Sequence, residues 1–254
     1  MLRHLIVFVI VFFMLWIPVP AFAAVHSGVI GTILEVEGSA GVASTEGQPV
    51  AAIINMPVHL HDVVRTAPAS RVFILFIDNT ELTLSENTVI TLDNYIFDPD
   101  DNSNNKAAYS VVQGAFQYVS GLIGKKENPD VNIETPVGSI GIRGTDFWAG
   151  NIDNQYSVAV NDGQVALKTD AGEAVVNKGE GTSVQDRHSM PARAKAWSRE
   201  KFERIATTVR LQRPDLMRQK IEAMQGHQRL LRRRYKNYLA RSRAGGDRHR
   251  ESQE

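Results

Sequence analysis

The sequence predicts a mainly β domain followed by a basic C-terminal α-helical hairpin, and three observations carry that reading. From Val29 to Val184 the chain is a succession of short β-prone runs separated by turn residues. After Pro191 glycine nearly vanishes, and Arg, Lys, Glu, Gln and Ala dominate. The zero net charge of the 254 residues hides a split: residues 24–186 hold 8 Lys and Arg against 21 Asp and Glu, net −13, while residues 187–254 hold 19 against 7, net +12. Short, evenly spaced strands imply a β-roll, sandwich or solenoid-like domain. The residues after Pro191 are strong helix formers. The opposite charges mark an acidic body joined to a basic extension.

The first element is a targeting segment. Met1-Leu2-Arg3-His4 is a charged start, Leu5 to Ile17 is an apolar run of 13 residues, and Ala21-x-Ala23 supplies small residues for cleavage. This matches a secretory signal peptide over residues 1–23, and the run is short of the ~20 apolar residues of a membrane span. A periplasmic or secreted protein is therefore expected. The chain has no cysteine, so it has no disulfides and its stability must come from an ordinary core.

The β-domain is expected over residues 24–186. Ile30 to Val36 alternates, and Glu37-Gly38-Ser39 turns it. Val58-x-Leu60 and Val63-Val64 lead into the loop at Thr66–Ser70. Val72 to Ile77 is near-continuously apolar, as a core strand is. Asp78-Asn79 turns it, because Asn tolerates φ > 0, and Glu81 to Leu84 returns as a hairpin partner. Thr88 to Leu92 alternates again. Tyr156 to Val160, Asn161-Asp162-Gly163 and Gln164 to Lys168 predict another hairpin.

The basic extension is expected over residues 187–242, with a disordered tail at 243–254. Ala194, Trp197, Phe202, Ile205 and Val209 predict a first helix over roughly 192–211. Pro214 suits the first turn of a second helix. Met217, Ile221, Met224, Gln228, Leu231, Tyr235 and Tyr238 alternate by four and three, a coiled-coil-like seam weakened by Gly226 and Gln228. The Arg232-Arg233-Arg234 cluster admits several partners. Export argues against nucleic acid. Self-association through residues 192–240, docking on the acidic body, and contact with an anionic envelope surface all remain open.

The most informative run is Thr135-Pro136-Val137-Gly138-Ser139-Ile140-Gly141-Ile142-Arg143-Gly144-Thr145. Its glycines, Gly138, Gly141 and Gly144, recur at a spacing of three, which fits neither a dinucleotide fingerprint nor a phosphate loop nor a serine elbow. A lone arginine in an apolar run needs a carboxylate or carbonyls. An internal salt bridge from Arg143 to Asp146 or Asp78 is the plainer expectation; recognition of an anionic partner is the other.

With this run in view, the chain resembles the FecR-domain family. Gly31 to Val42 is similar to the opening strand pair. Leu60-His61-Asp62-Val63-Val64-Arg65-Thr66 with Ser70 to Leu92 is similar to the central block, although His61-Asp62 and Asp78-Asn79 stand where the family usually has Gly-Asp and Asp-Gly. Gly114-Ala115-Phe116, Thr135-Pro136 and Arg143-Gly144-Thr145, with Gly163-Gln164-Val165 behind them, complete the third block. The resemblance implies an extracytoplasmic β-fold over residues 29–184 without catalytic residues. In transmembrane regulators this domain senses a receptor and controls a sigma factor. Only Met1 to His4 precede the apolar run, so that role is not expected here.

Other motifs are weaker. Asp98-x-Asp100-x-Asn102-x-Asn104 resembles half a calcium loop, but Ser103 and Tyr109 stand where glycine and glutamate are needed. His59 and His61 would share one face of a strand, with no third zinc ligand nearby. No acid/base pair stands out for hydrolysis. The expectation is a non-catalytic envelope protein without cofactor or metal, binding a protein or glycan. A structural, oligomerising role is the runner-up, and an envelope hydrolase comes third.

Overall fold

The computed structural model describes residues 28–44 and 47–226. The expected signal peptide, the seam beyond Met224, the arginine cluster and the tail at 243–254 lie outside them. The strands are β1 (Val29–Glu37), β2 (Ala40–Ala43), β3 (Val50–Ala51), β4 (Pro57–His59), β5 (Val63–Thr66), β6 (Arg71–Phe76), β7 (Glu81–Leu84) and β8 (Val89–Ile96). They continue as β9 (Lys106–Gln113), β10 (Phe116–Val119), β11 (Val131–Thr135), β12 (Gly138–Ile152), β13 (Gln155–Lys168), β14 (Glu173–Asn177), β15 (Glu180–Val184) and β16 (Lys195–Ala196). Helix α1 (Arg199–Val209) and a second helix, α2 (residues 214–226), follow. None of the described helices is long and apolar enough to cross a membrane.

The sheet runs β3-β2-β5-β8-β9-β11-β12-β10-β7-β6-β1-β4, with β13 paired to β12. β13 keeps one edge of β12, while β11 and then β10 take successive halves of the other edge. Two ribbons, β11-β9-β8-β5-β2 and β10-β7-β6-β1, therefore leave the same edge of β12, and Gly38-Ser39 joins their far strands, β1 and β2. The sheet is curled. The alternating apolar residues then face one enclosed core, which holds Ile33, Val58, Ile74, Phe76, Leu82, Tyr109, Tyr118, Phe147 and Val160. The pairings are antiparallel except β9 with β11.

β12 and β13 are the longest strands, and they carry a correction. Asn161-Asp162-Gly163 is not a turn: residues 155–168 form one strand. The turn lies at Asp153-Asn154, whose φ values of 54° and 60° are the left-handed pair that a tight two-residue hairpin requires. Gly163, at φ 79°, instead builds a bulge where Asp146 pairs with Asp162 and the register shifts. A Cβ there would stand 2.1 Å from the Gly144 carbonyl oxygen, so the two strands pass too closely for any side chain.

The helical extension is also corrected in detail. α1 begins at Arg199 rather than near 192, because Lys195–Ala196 pairs with β15 and Trp197 lies flat on Gly181. Ser198 caps the helix by accepting from the Lys201 amide. The predicted apolar stripe is real: Ile205 and Val209 bury against Trp148 and Ala159, flanked by Trp197 and Phe202. Each fully buried aliphatic side chain of this kind stabilises by about 1.5–3 kcal/mol. In α2, Met217, Ile221 and Met224 pack on Leu34, Phe73 and Leu75 of the outer sheet face. The first half of the expected seam is thus spent on the protein's own sheet. Charge reinforces the docking: buried Glu35 accepts from Lys220 at 2.8 Å and Arg213 at 3.1 Å.

Candidate functional site

The Thr135–Thr145 run is the line along which the roll changes partners. Thr135 and Gly138 pair across the two-residue loop Pro136-Val137, and the Thr135 hydroxyl donates to the Gly138 carbonyl at 2.6 Å. A Cβ on Gly138 would lie 2.2 Å from the Lys168 carbonyl oxygen. Gly141 faces open space. From Ser139 to Arg143 the run pairs with β13, and up to Gly141 it also pairs with β11; from Asp146 onward β10 replaces β11. The switch is held by backbone bonds. The Gly144 amide donates to Gly124, the Thr145 amide donates to the Ser120 hydroxyl at 2.9 Å, and the Ser120 amide donates to the Thr145 carbonyl at 2.8 Å.

Arg143 is not the pin of this closure. Its side chain is exposed, and it has no ion-pair partner among the described residues. The expected bridge to Asp146 or Asp78 is absent, and for Asp78 the reason is that side chains alternate across a strand. Arg143 points to the outer face, while Asp78 is fully buried inside. Asp146, on the outer face past the bulge, accepts from Gln117 and Asn161 instead.

The buried centre is Asp78. Its Oδ1 accepts from the Thr80 amide at 3.0 Å and the Tyr95 hydroxyl at 2.8 Å; its Oδ2 accepts from the Thr80 hydroxyl at 2.8 Å and the Ile123 amide at 3.1 Å. Four donors occupy the roughly four acceptor positions of a carboxylate, so the charge is solvated by the protein itself. The Asp78 carbonyl takes the Leu122 amide as well. Gly121 fits only because it lacks a Cβ, which would stand 2.3 Å from the Thr80 nitrogen. One acid thus ties the β6–β7 turn to the loop 120–124, and that loop ties to Gly144 and Thr145.

Tyrosines surround this acid. Burial, and then the Asp78 charge, push the Tyr95 hydroxyl far above its ordinary range. Tyr109, Tyr118 and Tyr156 are likewise raised, mainly by burial. The Tyr118 hydroxyl lies beside Thr80 and that of Tyr156 beside Thr135, without hydrogen bonds of good geometry. The sequence offered little sign of this centre: Asp78 read as a turn residue and as one of two partners for Arg143.

Residues 62–166 match the family model described as FecR protein. Over these residues the chain is similar to a FecR domain. The match spans β5 to most of β13, so β1–β4, β14 and β15 complete the roll outside it. Two crystal structures, at 1.65 and 2.50 Å resolution, of a protein from Parabacteroides distasonis described as a candidate anti-sigma factor are similar at 14% identity, with TM-scores of 0.44 and 0.45. The similarity covers 56% of this chain and 62% of that one. No curated protein matches the chain. FecR-domain proteins are of a non-enzymatic kind.

The outer face of the curled sheet divides in two. α1 and α2 cover Trp148, Ala159, Leu34, Phe73 and Leu75. Over β11–β14 the outward row is Asn132, Glu134, Ser139, Arg143, Gln164, Lys168 and Asn177, half-buried to exposed and not part of either helix-packed cluster. Gln164 donates to Asn177 at 2.8 Å, which orders the row beside Arg143. The remaining sequence candidates have local roles. His59 ends β4, whereas His61 sits in a turn at φ 68°, so they do not share a strand face. Asp62 accepts from the His59 amide at 2.8 Å. Asp98 accepts from the amides of Asp100 and Asp101, and Asp101 from that of Ser103, capping the hairpin tip.

Proposed function

We propose that this FecR-domain protein is a non-catalytic binding module of the cell envelope, exported to the periplasm and engaging a protein or glycan through the outer face of β11–β14. One observation carries the reading: Arg143 stands exposed, without an ion-pair partner among the described residues, in a polar row that the helices leave open. A guanidinium held on a rigid sheet suits recognition of carboxylate or phosphate groups on a partner. The charged start, apolar run and Ala21-x-Ala23 site support export.

The test uses the full chain immobilised against solubilised envelope fractions, with protease-treated and glycosidase-treated arms. Capture should be lost in one arm only, which identifies the partner class. Arg143→Ala and Gln164→Ala should weaken capture while leaving the melting temperature unchanged. Equal capture by the variants would sink the assignment of this face. The assembly reading is weaker for residues 217–224, since Met217, Ile221 and Met224 are occupied by the protein's own sheet. Light scattering showing a stable oligomer that dissociates on Leu231→Glu would revive it through the segment beyond.

A further inference from the structure

α2 leaves a cleft beside it. The floor is the outer face of β6, β7 and β10, with Phe73, Glu81 and Val119; one wall is α2, from Pro214 to Gln225. The cleft has a volume of about 500 Å³ and is open to solvent. Its floor is part apolar and part acidic. Glu81, Val119 and Asp146 lie in one row across β7, β10 and β12. Neither carboxylate has a cation within ion-pair distance among the described residues. Partial burial and the neighbouring Asp146 raise the Glu81 carboxyl, while Lys125 opposes them. Of the arginines at the rim, Arg210 is turned to Glu203 at 3.2 Å, and Arg218 is exposed on α2.

We infer that this cleft is the docking surface for the chain's own basic segment 227–240. The segment begins where the cleft ends, since Gln225 is a lining residue and Gly226 follows it. Gly226 has open space around the place of a Cβ, and glycine is the weakest helix former after proline, so the chain can change direction there. The cleft is about as long as α2, roughly 20 Å for 13 helical residues, and the 14 residues from 227 to 240 reach that far in any conformation. The chemistry matches as well. Residues 227–240 carry Arg229, Arg232, Arg233, Arg234 and Lys236 with no acid, interleaved with Leu230, Leu231, Tyr235 and Tyr238. The cations answer Glu81 and Asp146, and the apolar side chains answer Phe73, Val119 and Ile221. The strip would then join α1 and α2 as a third covering of the outer face, and the seam begun at Met217 would end on the protein rather than on another chain.

The absence of native cysteine makes the test clean. The full chain carrying Val119→Cys and Leu231→Cys is oxidised gently and followed by non-reducing electrophoresis and mass spectrometry. A control pairs Leu231→Cys with Val175→Cys, an exposed position on β14. The cleft pair should form an intrachain disulfide at least ~10-fold faster than the control. That advantage should shrink several-fold in 0.5 M salt or with Glu81→Gln and Asp146→Asn, because screening and neutralisation both remove the attraction. If Val119→Cys impairs folding by circular dichroism, Gln117→Cys replaces it. Equal rates for the two pairs, no intrachain product, or a disulfide between chains would each overturn the inference, the last by assigning the cleft to a second copy.

Discussion

Asp78 and Arg143 flank the same loop, 120–124, yet the two charged groups do opposite things. Asp78 is enclosed and accepts four hydrogen bonds from three segments of the chain. Arg143 precedes the clamp at Gly144 and Thr145 directly, pairs with Gln164 of β13, and puts its side chain into solvent. A charge conspicuous in the sequence can be structurally idle, while a charge hidden in a turn motif can organise the closure. The difference is direction: one side chain faces the core, and the other faces solvent.

The largest effect expected on this comparison comes from alkali. Tyr95, Tyr109 and Tyr118 crowd the Asp78 side, with Tyr156 further along the core, and all four hydroxyls titrate above their ordinary range. Raised folded values mean that the native state keeps its protons while the unfolded chain loses them above pH ~10. Stability is therefore intact below pH 10 and falls as the pH rises beyond it, by about 1.4 kcal/mol per pH unit per tyrosine. Four such groups cost about 5–6 kcal/mol by pH 11. Denaturant titrations at pH 8 and pH 11 measure this. Tyrosinate absorbance from these four residues should rise only with unfolding, and a smooth titration in the folded protein would contradict the enclosed core.

Asp78→Asn comes next. The amide would set an NH2 against two donors and remove the charge that the other donors solvate. A loss of about 3–5 kcal/mol is expected, or roughly 10 °C in the melting temperature of a domain this size. Glu35→Gln tests a charge of intermediate kind, buried at its own end but paired with the more exposed Lys220 and Arg213. It should cost about 1–2 kcal/mol and raise hydrogen exchange in α2 more than in α1. Arg143→Ala should change stability by less than about 0.5 kcal/mol. A larger loss there would mean that Arg143 holds the closure after all, and the contrast with Asp78 would collapse.

What could be read from the residues follows from what is local. The alternating runs of β1, the core strand β6, the Asn79 turn and the stripe Phe202–Ile205–Val209 depend on near neighbours, so the sequence displayed them. The motif Arg143-Gly144-Thr145 was visible as a signature, and its glycine does take a left-handed backbone, at φ 57°. The role of its arginine was misjudged, because which way a side chain points depends on the register of β12 against β11 and β13. Asn161-Asp162-Gly163 was misjudged for a related reason: left-handed backbone builds a bulge as readily as a turn, and only the partner strand decides which.

The residues alone were enough for a β-domain resembling FecR domains, an acidic body with a basic helical extension, and the stripe by which α1 docks. Composition, periodicity and charge are properties of the chain alone, and they suffice for those. The tertiary structure alone decided that β11 and β10 share one edge of β12, that Asp78 is the buried tie, and that Met217, Ile221 and Met224 belong to the protein's own sheet. Each of these joins residues far apart in the chain, and such pairings are set by packing and hydrogen-bond saturation across the whole fold.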